Sequence, residues 1–267
     1  MKFIPALKQT GIVCLLAMTI ASCQKEISSE SAGILPTGCQ LTKITYYDSS
    51  GVSTDTAGLV YTNNKITRVN FSDYYINLVY TNNRVTRINY FDHSNIVYDF
   101  YDSIRYTSAG KIESLIFYST SGGSLVPSGG YVLTYNGDGT PSKMIEKSGT
   151  GGVLEDSYEY AYAYTTQNIS KMTITELTIP ISFPLNYTFD NNANYFSKLP
   201  AEFIFADNIL FGISSVQFGL WSPFMFSKNN IASMEGVPVT YEKDSKGNLT
   251  EVKMGGVRMT SYSYTCQ

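Results

Sequence analysis

Two thirteen-residue stretches of the chain nearly copy each other: LVYTNNKITRVNF from Leu59 and LVYTNNRVTRINY from Leu78, 19 positions on. In each, a run of aromatic, β-branched and leucine residues stops at Asn-Asn and then resumes. Such side chains suit a pleated strand, and Asn accepts the positive φ that a tight hairpin turn demands. The phrase therefore spells strand, turn, strand. A looser form recurs: Tyr or Phe, a polar turn, an apolar residue, two intervening residues, and another apolar residue. It reads YTNNKITRV at Tyr61, YTNNRVTRI at Tyr80, YTSAGKIESL at Tyr106, YNGDGTPSKM at Tyr135, YTTQNISKM at Tyr164, FSKNNIASM at Phe226 and YEKDSKGNLTEV at Tyr241. Spacings of 19 to 29 residues between the early copies give one hairpin per unit.

An all-β fold follows: an antiparallel meander of repeated β-hairpins forming a large curled sheet or a closed barrel, with on the order of a dozen strands. No segment after the N-terminus carries a long helical period. At 267 residues and 43% hydrophobic, the chain can bury a sizeable core. Its 22 Tyr and 14% aromatic content speak against intrinsic disorder. Strand parity of two would put Ile66, Arg68 and Asn70 on one face and Lys65, Thr67, Val69 and Phe71 on the other. Charges on both sides of these strands argue against a lipid-facing wall, which needs apolar residues at every outward position.

The first residues belong to targeting, not to the fold. Lys2 and Lys8 precede the short apolar run GIVCLLAMTIAS, which ends in small residues. The stretch IASC, Ile20 to Cys23, resembles the lipobox of bacterial lipoproteins. That resemblance implies a signal peptide over 1–22, an acyl anchor on Cys23 and attachment to the outer membrane. CQKEISSE is similar in part to the signals that send lipoproteins of Bacteroidetes-type bacteria to the cell surface, the periplasmic face being the alternative. Residues 23–38 read as a polar tether and 39–267 as one domain. The formal charge of −3 becomes −5 once Lys2 and Lys8 are removed, which excludes nucleic acid as an expected partner. Of four cysteines, Cys14 leaves with the signal peptide and Cys23 takes the lipid. Cys39 and Cys266 remain, paired as a disulfide in an oxidising compartment, with two free thiols as the alternative.

YEKDSKGNLTEV and YNGDGTPSKM resemble the tyrosine–aspartate repeats of Rhs-type bacterial surface proteins, in which successive hairpins build a curling sheet. YTFDNNANYFSKLP together with FMFSKNNIASM is similar to an uncharacterised lipoprotein domain family of Bacteroidetes with a porin-like sheet. Both resemblances imply fold more than activity. Residues 199–226, LPAEFIFADNILFGISSVQFGLWSPFMF, break the repeat and hold the only Trp. They read as a loop and short helix plugging one mouth of the sheet, or else as an exposed apolar patch.

Sites are harder to read. In the repeat frame Arg68, Arg87, Lys143 and Lys171 fall in one column, with Ser114, Ser233 and Glu251 in the other copies. Such a cationic ladder can meet an anionic glycan, or it can be a solvated face with acidic neighbours interleaved. His93 is the only His, so a Ser–His–Asp triad or a His-rich metal centre has little to draw on. Asp92, Asp99 and Asp102 cluster near it in sequence without a spacing that makes two of them converge. NGDGT at Asn136 lacks the further carboxylates of a calcium loop, and SGTGG at Ser148 lacks the strand–helix setting of a phosphate loop. DTA at Asp55 and DSI at Asp102 resemble a short O-glycosylation motif, with Thr56 and Ser103 as acceptors. The expectation is a non-catalytic, lipid-anchored scaffold or binding module without a cofactor, its partners being the membrane and a glycan or another envelope protein. A carboxylate-dependent glycan-acting enzyme and a purely structural envelope protein are the alternatives.

Overall fold

The computed structural model describes residues 38–94, 96–196 and 218–266. The residues read as signal peptide, Cys23 and all of the expected tether but Gly38 lie outside them, as does most of 199–226. Sixteen strands follow in chain order: β1 (Cys39–Tyr47), β2 (Ser53–Thr62), β3 (Lys65–Asn70), β4 (Tyr74–Thr81), β5 (Arg84–Asp92), β6 (Val97–Tyr106), β7 (Ile112–Ser121) and β8 (Ser124–Tyr135), then β9 (Pro141–Thr150), β10 (Val153–Thr165), β11 (Asn168–Glu176), β12 (Ile181–Ala193), β13 (Asn229–Met234), β14 (Val237–Lys243), β15 (Leu249–Met254) and β16 (Val257–Cys266). Each pairs antiparallel with its neighbours in sequence, and β1 pairs with β16, so the meander closes into a barrel. Closure leaves no strand edge. It also completes the wall from residues 39–266 alone.

The hairpin reading holds at the turns. Asn63 and Asn64 have φ of 50° and 62°, and Asn82 and Asn83 have 51° and 65°. Two successive positive values make the type I′ turn, whose twist matches that of its flanking strands.

Simple parity does not hold past the turn. Tyr61 pairs with Ile66 and Val60 with Arg68, so Thr67 is an extra residue on its strand. The same shift recurs at Tyr80/Val85, Tyr106/Ile112, Tyr135/Pro141 and Tyr164/Ile169. Each is a β-bulge. Ile66 and Val69 therefore both point inward, and Arg68, expected on the Ile66 face, points outward. The three-residue spacing of the repeat's apolar pair is the bulge itself, written in sequence.

The repeat tyrosines tie one unit to the preceding one. The Tyr80 hydroxyl donates to the Ile66 carbonyl at 2.7 Å, Tyr106 to Val85 at 2.8 Å, Tyr135 to Ile112 at 2.6 Å and Tyr164 to Pro141 at 2.7 Å. Tyr61 reaches Leu41 and Tyr241 reaches Ile231 in the same way. These rings form a belt on the inner wall near the rim that holds the Asn-Asn turns. The chain enters at that same rim. There a disulfide between Cys39 and Cys266 staples the β1–β16 seam, as expected.

A sixteen-stranded wall encloses more width than its own side chains fill. At the entry rim the space is occupied by the inward aliphatics and by α1 (Phe218–Phe226) with its flanks. The Tyr162 hydroxyl meets Ser222 at 2.8 Å, Phe224 packs edge-on against Phe196, and Phe226 against Tyr162. Tyr162 and Met172 are inward wall residues, so α1 sits inside the lumen. The expected plug is thus present in the described part of 199–226, although the side chain of Trp221 lies outside that part.

Candidate functional site

The two ends of the barrel differ. Inward side chains are buried near the entry rim; towards the far rim they become exposed on β12 and β14, whereas Tyr46, Phe71 and Tyr90 stay buried there on the β1–β5 side. Along the inward face of β12, Tyr187 is buried, Leu185 half-buried, and Phe183 and Ile181 exposed. On β14, Val239 is buried and Val237 exposed. The hairpin tips of this far rim carry further apolar residues in water: Ile96 at 63%, Val153 at 66% and Ile179 at 57% exposure, with Val52 and Leu125 also exposed. Among the described residues the far rim thus exposes apolar tips, and its inner wall is exposed along β12 and β14.

Below that rim the inward wall is acidic and aromatic. One register row runs Ile181, Glu176, Tyr158, Glu146, Tyr131, Leu115. Burial raises the Glu146 carboxyl above its ordinary range, and the hydroxyl of Tyr160, 2.6 Å away, pulls partly the other way. Asp102 is buried and accepts from the Tyr90 hydroxyl at 2.7 Å. Sequence reasoning passed over Glu146 and Glu176. Their signal was available: both sit at inward parity on strands otherwise lined with Tyr, Met and Ile.

Of the acids grouped in sequence, Asp102 points inward and Asp92 is half-buried, its carboxylate accepting from the Ile96 amide at the turn. The side chain of Asp99 lies outside the described residues. His93 stands exposed at the far rim, 2.8 Å from the Ser72 carbonyl. Asp138 is tied back onto Thr140, which holds its carboxyl below the usual range. Among the described residues no three His, Cys, Asp or Glu side chains gather as a metal site.

The cationic column exists and faces outward. Its partners differ from the interleaved acids expected. Arg68 donates to Asn77 and lies 4.0 Å from the centre of the Tyr75 ring, which stacks on Phe91. Arg87 donates to Asn89 and lies 3.6 Å from the Tyr101 ring, which stacks on Tyr118. A guanidinium is flat and weakly hydrated, so an aromatic face serves in place of a carboxylate. Lys143 pairs with Glu159 at 3.0 Å, as expected of a solvated face, and Lys171 is exposed with no ion pair among the described residues. Thr56 and Ser103 lie half-buried on the outer wall, in β2 and β6. That wall is rich in Thr, Ser, Asn, Lys and Arg, the reverse of a lipid-facing band.

No family model matches the chain, and no curated protein matches it. Among solved structures it is similar to a porin-like protein from Bacteroides vulgatus, at 12% identity over 84% of this chain and 98% of that one, with a TM-score of 0.48. A porin-like protein from Bacteroides uniformis is similar at 11% identity over the same shares, with a TM-score of 0.42. A Tc holotoxin pore structure from Photorhabdus luminescens is similar at 13% identity over 79% of this chain and 11% of that one, with a TM-score of 0.37. At such scores these likenesses assign no activity.

Proposed function

We propose that the chain is an outer-membrane lipoprotein, anchored through Cys23, whose barrel is a non-catalytic scaffold presenting its far rim to a glycan or to another envelope protein. The observation that carries the reading is how the repeat uses its tyrosines. Their hydroxyls donate to backbone carbonyls of the preceding unit, so the most repeated side chain of the protein builds wall rather than site. The apolar tips that remain in water stand at the rim away from the chain entry.

Two measurements test it. Cells fed a labelled palmitate analogue should label the wild-type chain, and Cys23→Ala should lose both label and membrane association; retention of both refutes the anchor. A glycan and envelope-protein screen of the chain from Ser28 onward should return a binder lost in the Ile181→Ser/Phe183→Ser variant. A binder indifferent to that variant moves the site away from the far rim.

A second reading has one observation behind it. Glu146 and Glu176 flank Tyr158 on the inward row, two strands or about 10 Å apart along the sheet. Paired carboxylates near that separation can run an inverting glycoside hydrolysis. Release of reducing sugar from an envelope polysaccharide panel, lost on Glu146→Gln, would establish it. Absence of turnover across the panel removes it.

A further inference from the structure

The barrel sorts its charges by height. At the entry rim, Lys65, Arg84, Lys111, Lys228, Lys243 and Lys246 stand at strand ends or on turns. Among the described residues none of the six is ion-paired. Asp138 and Asp244, the acids of these turns, bond back onto Thr140 and Asn248 and stay ionised, and Glu113 is exposed at the start of β7, so among the described residues six cations outnumber three carboxylates at this rim. The far rim is the reverse. Asp48, Asp73, Glu155 and Glu235 are exposed there, while the basic residues on that side, Lys147, Lys253 and Arg258, are all ion-paired. Of the two rims, only the entry rim therefore gathers cations without an ion pair.

We infer that the entry rim is a docking surface for an anionic lipid bilayer, its cations meeting phosphate-bearing headgroups while the barrel stands upright on them. Three observations select this occupant. The cations stand on successive turns around one rim, so they form a ring of charge, which suits the many headgroups of a bilayer better than a single protein side chain. Residue 39 starts β1 at this same rim, 39 − 23 = 16 positions after Cys23, so an anchor there lies nearer in sequence to this rim than to any other part of the wall. The cations are also held in place beforehand: Lys65, Arg84 and Lys111 lie 5.1, 5.2 and 5.2 Å from the ring centres of Tyr80, Tyr106 and Tyr135. Each cation thus rests on the tyrosine of the following repeat, so less freedom is lost when a headgroup is bound.

Distance decides the sign. A ten-residue strand tilted by about 40° gives a wall roughly 25 Å high. The Debye length at physiological salt is about 8 Å. A headgroup beneath the entry rim therefore meets the cations, and the far-rim acids are screened from it, although the chain from Cys23 onward is acidic overall. One acyl signal gives only marginal membrane residence, and a basic patch is an established kind of second signal. The inference rests on the envelope reading above for the anchor alone; the rim's own affinity is separate from it.

The test uses the chain from Ser28 onward, which lacks Cys23 and keeps every strand of the closed wall. It is floated with vesicles of phosphatidylcholine alone or with about 30% phosphatidylglycerol, an anionic fraction large enough to set up a surface potential. Flotation is expected only with the anionic vesicles, and it is expected to vanish at high salt. Lys65→Gln/Arg84→Gln/Lys111→Gln should lower partitioning by on the order of a hundredfold, with Lys147→Gln unchanged. Salt release of the wild-type chain needs no variant, so a misfolded triple mutant does not blunt the test. Equal flotation with neutral vesicles, insensitivity to salt, or a folded triple variant that binds as the wild type each overturns the proposal. Complete release by inorganic phosphate at matched ionic strength also overturns it, since the rim would then be a free-phosphate site. A failed palmitate label with intact flotation would sink the anchor and leave the rim standing.

Discussion

Tyr80 is gripped from both sides: its hydroxyl donates to Ile66 at 2.7 Å, and Lys65 lies 5.1 Å from its ring centre. A single such hydrogen bond contributes on the order of 1 kcal/mol. Tyr80→Phe keeps the ring and removes the bond, so a loss of about 1 kcal/mol is expected in urea unfolding. An unchanged midpoint would mean that the hydroxyl is idle. Glu146 behaves oppositely. Burial raises its folded pKa above the unfolded value, so its ionised form opposes folding. The penalty is full above the folded pKa and disappears as pH falls below the unfolded one. Glu146→Gln should therefore melt above the wild type at pH 8, with the gap closing towards pH 4. A gap constant with pH would show that the carboxyl does not titrate on folding. The tyrosines could be read from the chain as strand residues, but their carbonyl acceptors lie one hairpin away and depend on register.

The bulge governs the element scale. Thr67 is the extra residue between the Tyr61–Ile66 and Val60–Arg68 pairs. Deleting it forces either Arg68 inward or Ile66 outward, because a one-residue slip reverses every side chain beyond it. Deletion of Thr67 is expected to abolish folding or to cost more than about 3 kcal/mol, whereas Thr67→Ala should stay within about 1 kcal/mol. Equal effects would deny the bulge its role. The apolar-x-x-apolar spacing was visible in all seven copies, yet parity alone misplaced Arg68 beside Ile66. The spacing of three shows its meaning only once the partner strand is known. The Asn-Asn turns needed no partner, since their positive φ is a local property of the residues.

The closed wall is a property of the whole molecule. The Cys39–Cys266 disulfide joins the first and last strands, with a sequence separation of 227. Closing so long a loop is worth about 5 kcal/mol in the chain-entropy model. Cys39→Ser/Cys266→Ser should lower stability by about 2–5 kcal/mol and move the first proteolytic cut to β1 or β16. An unchanged melting temperature would show that the β1–β16 hydrogen bonds hold the seam unaided.

Repetition, turn chemistry and the tyrosine–valine–isoleucine strands made an antiparallel meander legible from sequence, because each depends on neighbours a few positions away. The cysteine pair was legible too, because position and compartment leave few alternatives. The plug was legible as an apolar break in the repeat, whereas sixteen strands instead of about a dozen, closure rather than an open curl, and the sorting of charge between two rims came only from the tertiary structure. A hairpin repeat sets how strands follow one another but not how far the sheet curls before its ends meet. Which end of each strand lies at which rim, and so where Lys65, Arg84 and Lys111 gather opposite Asp48 and Asp73, exists only after the wall has closed.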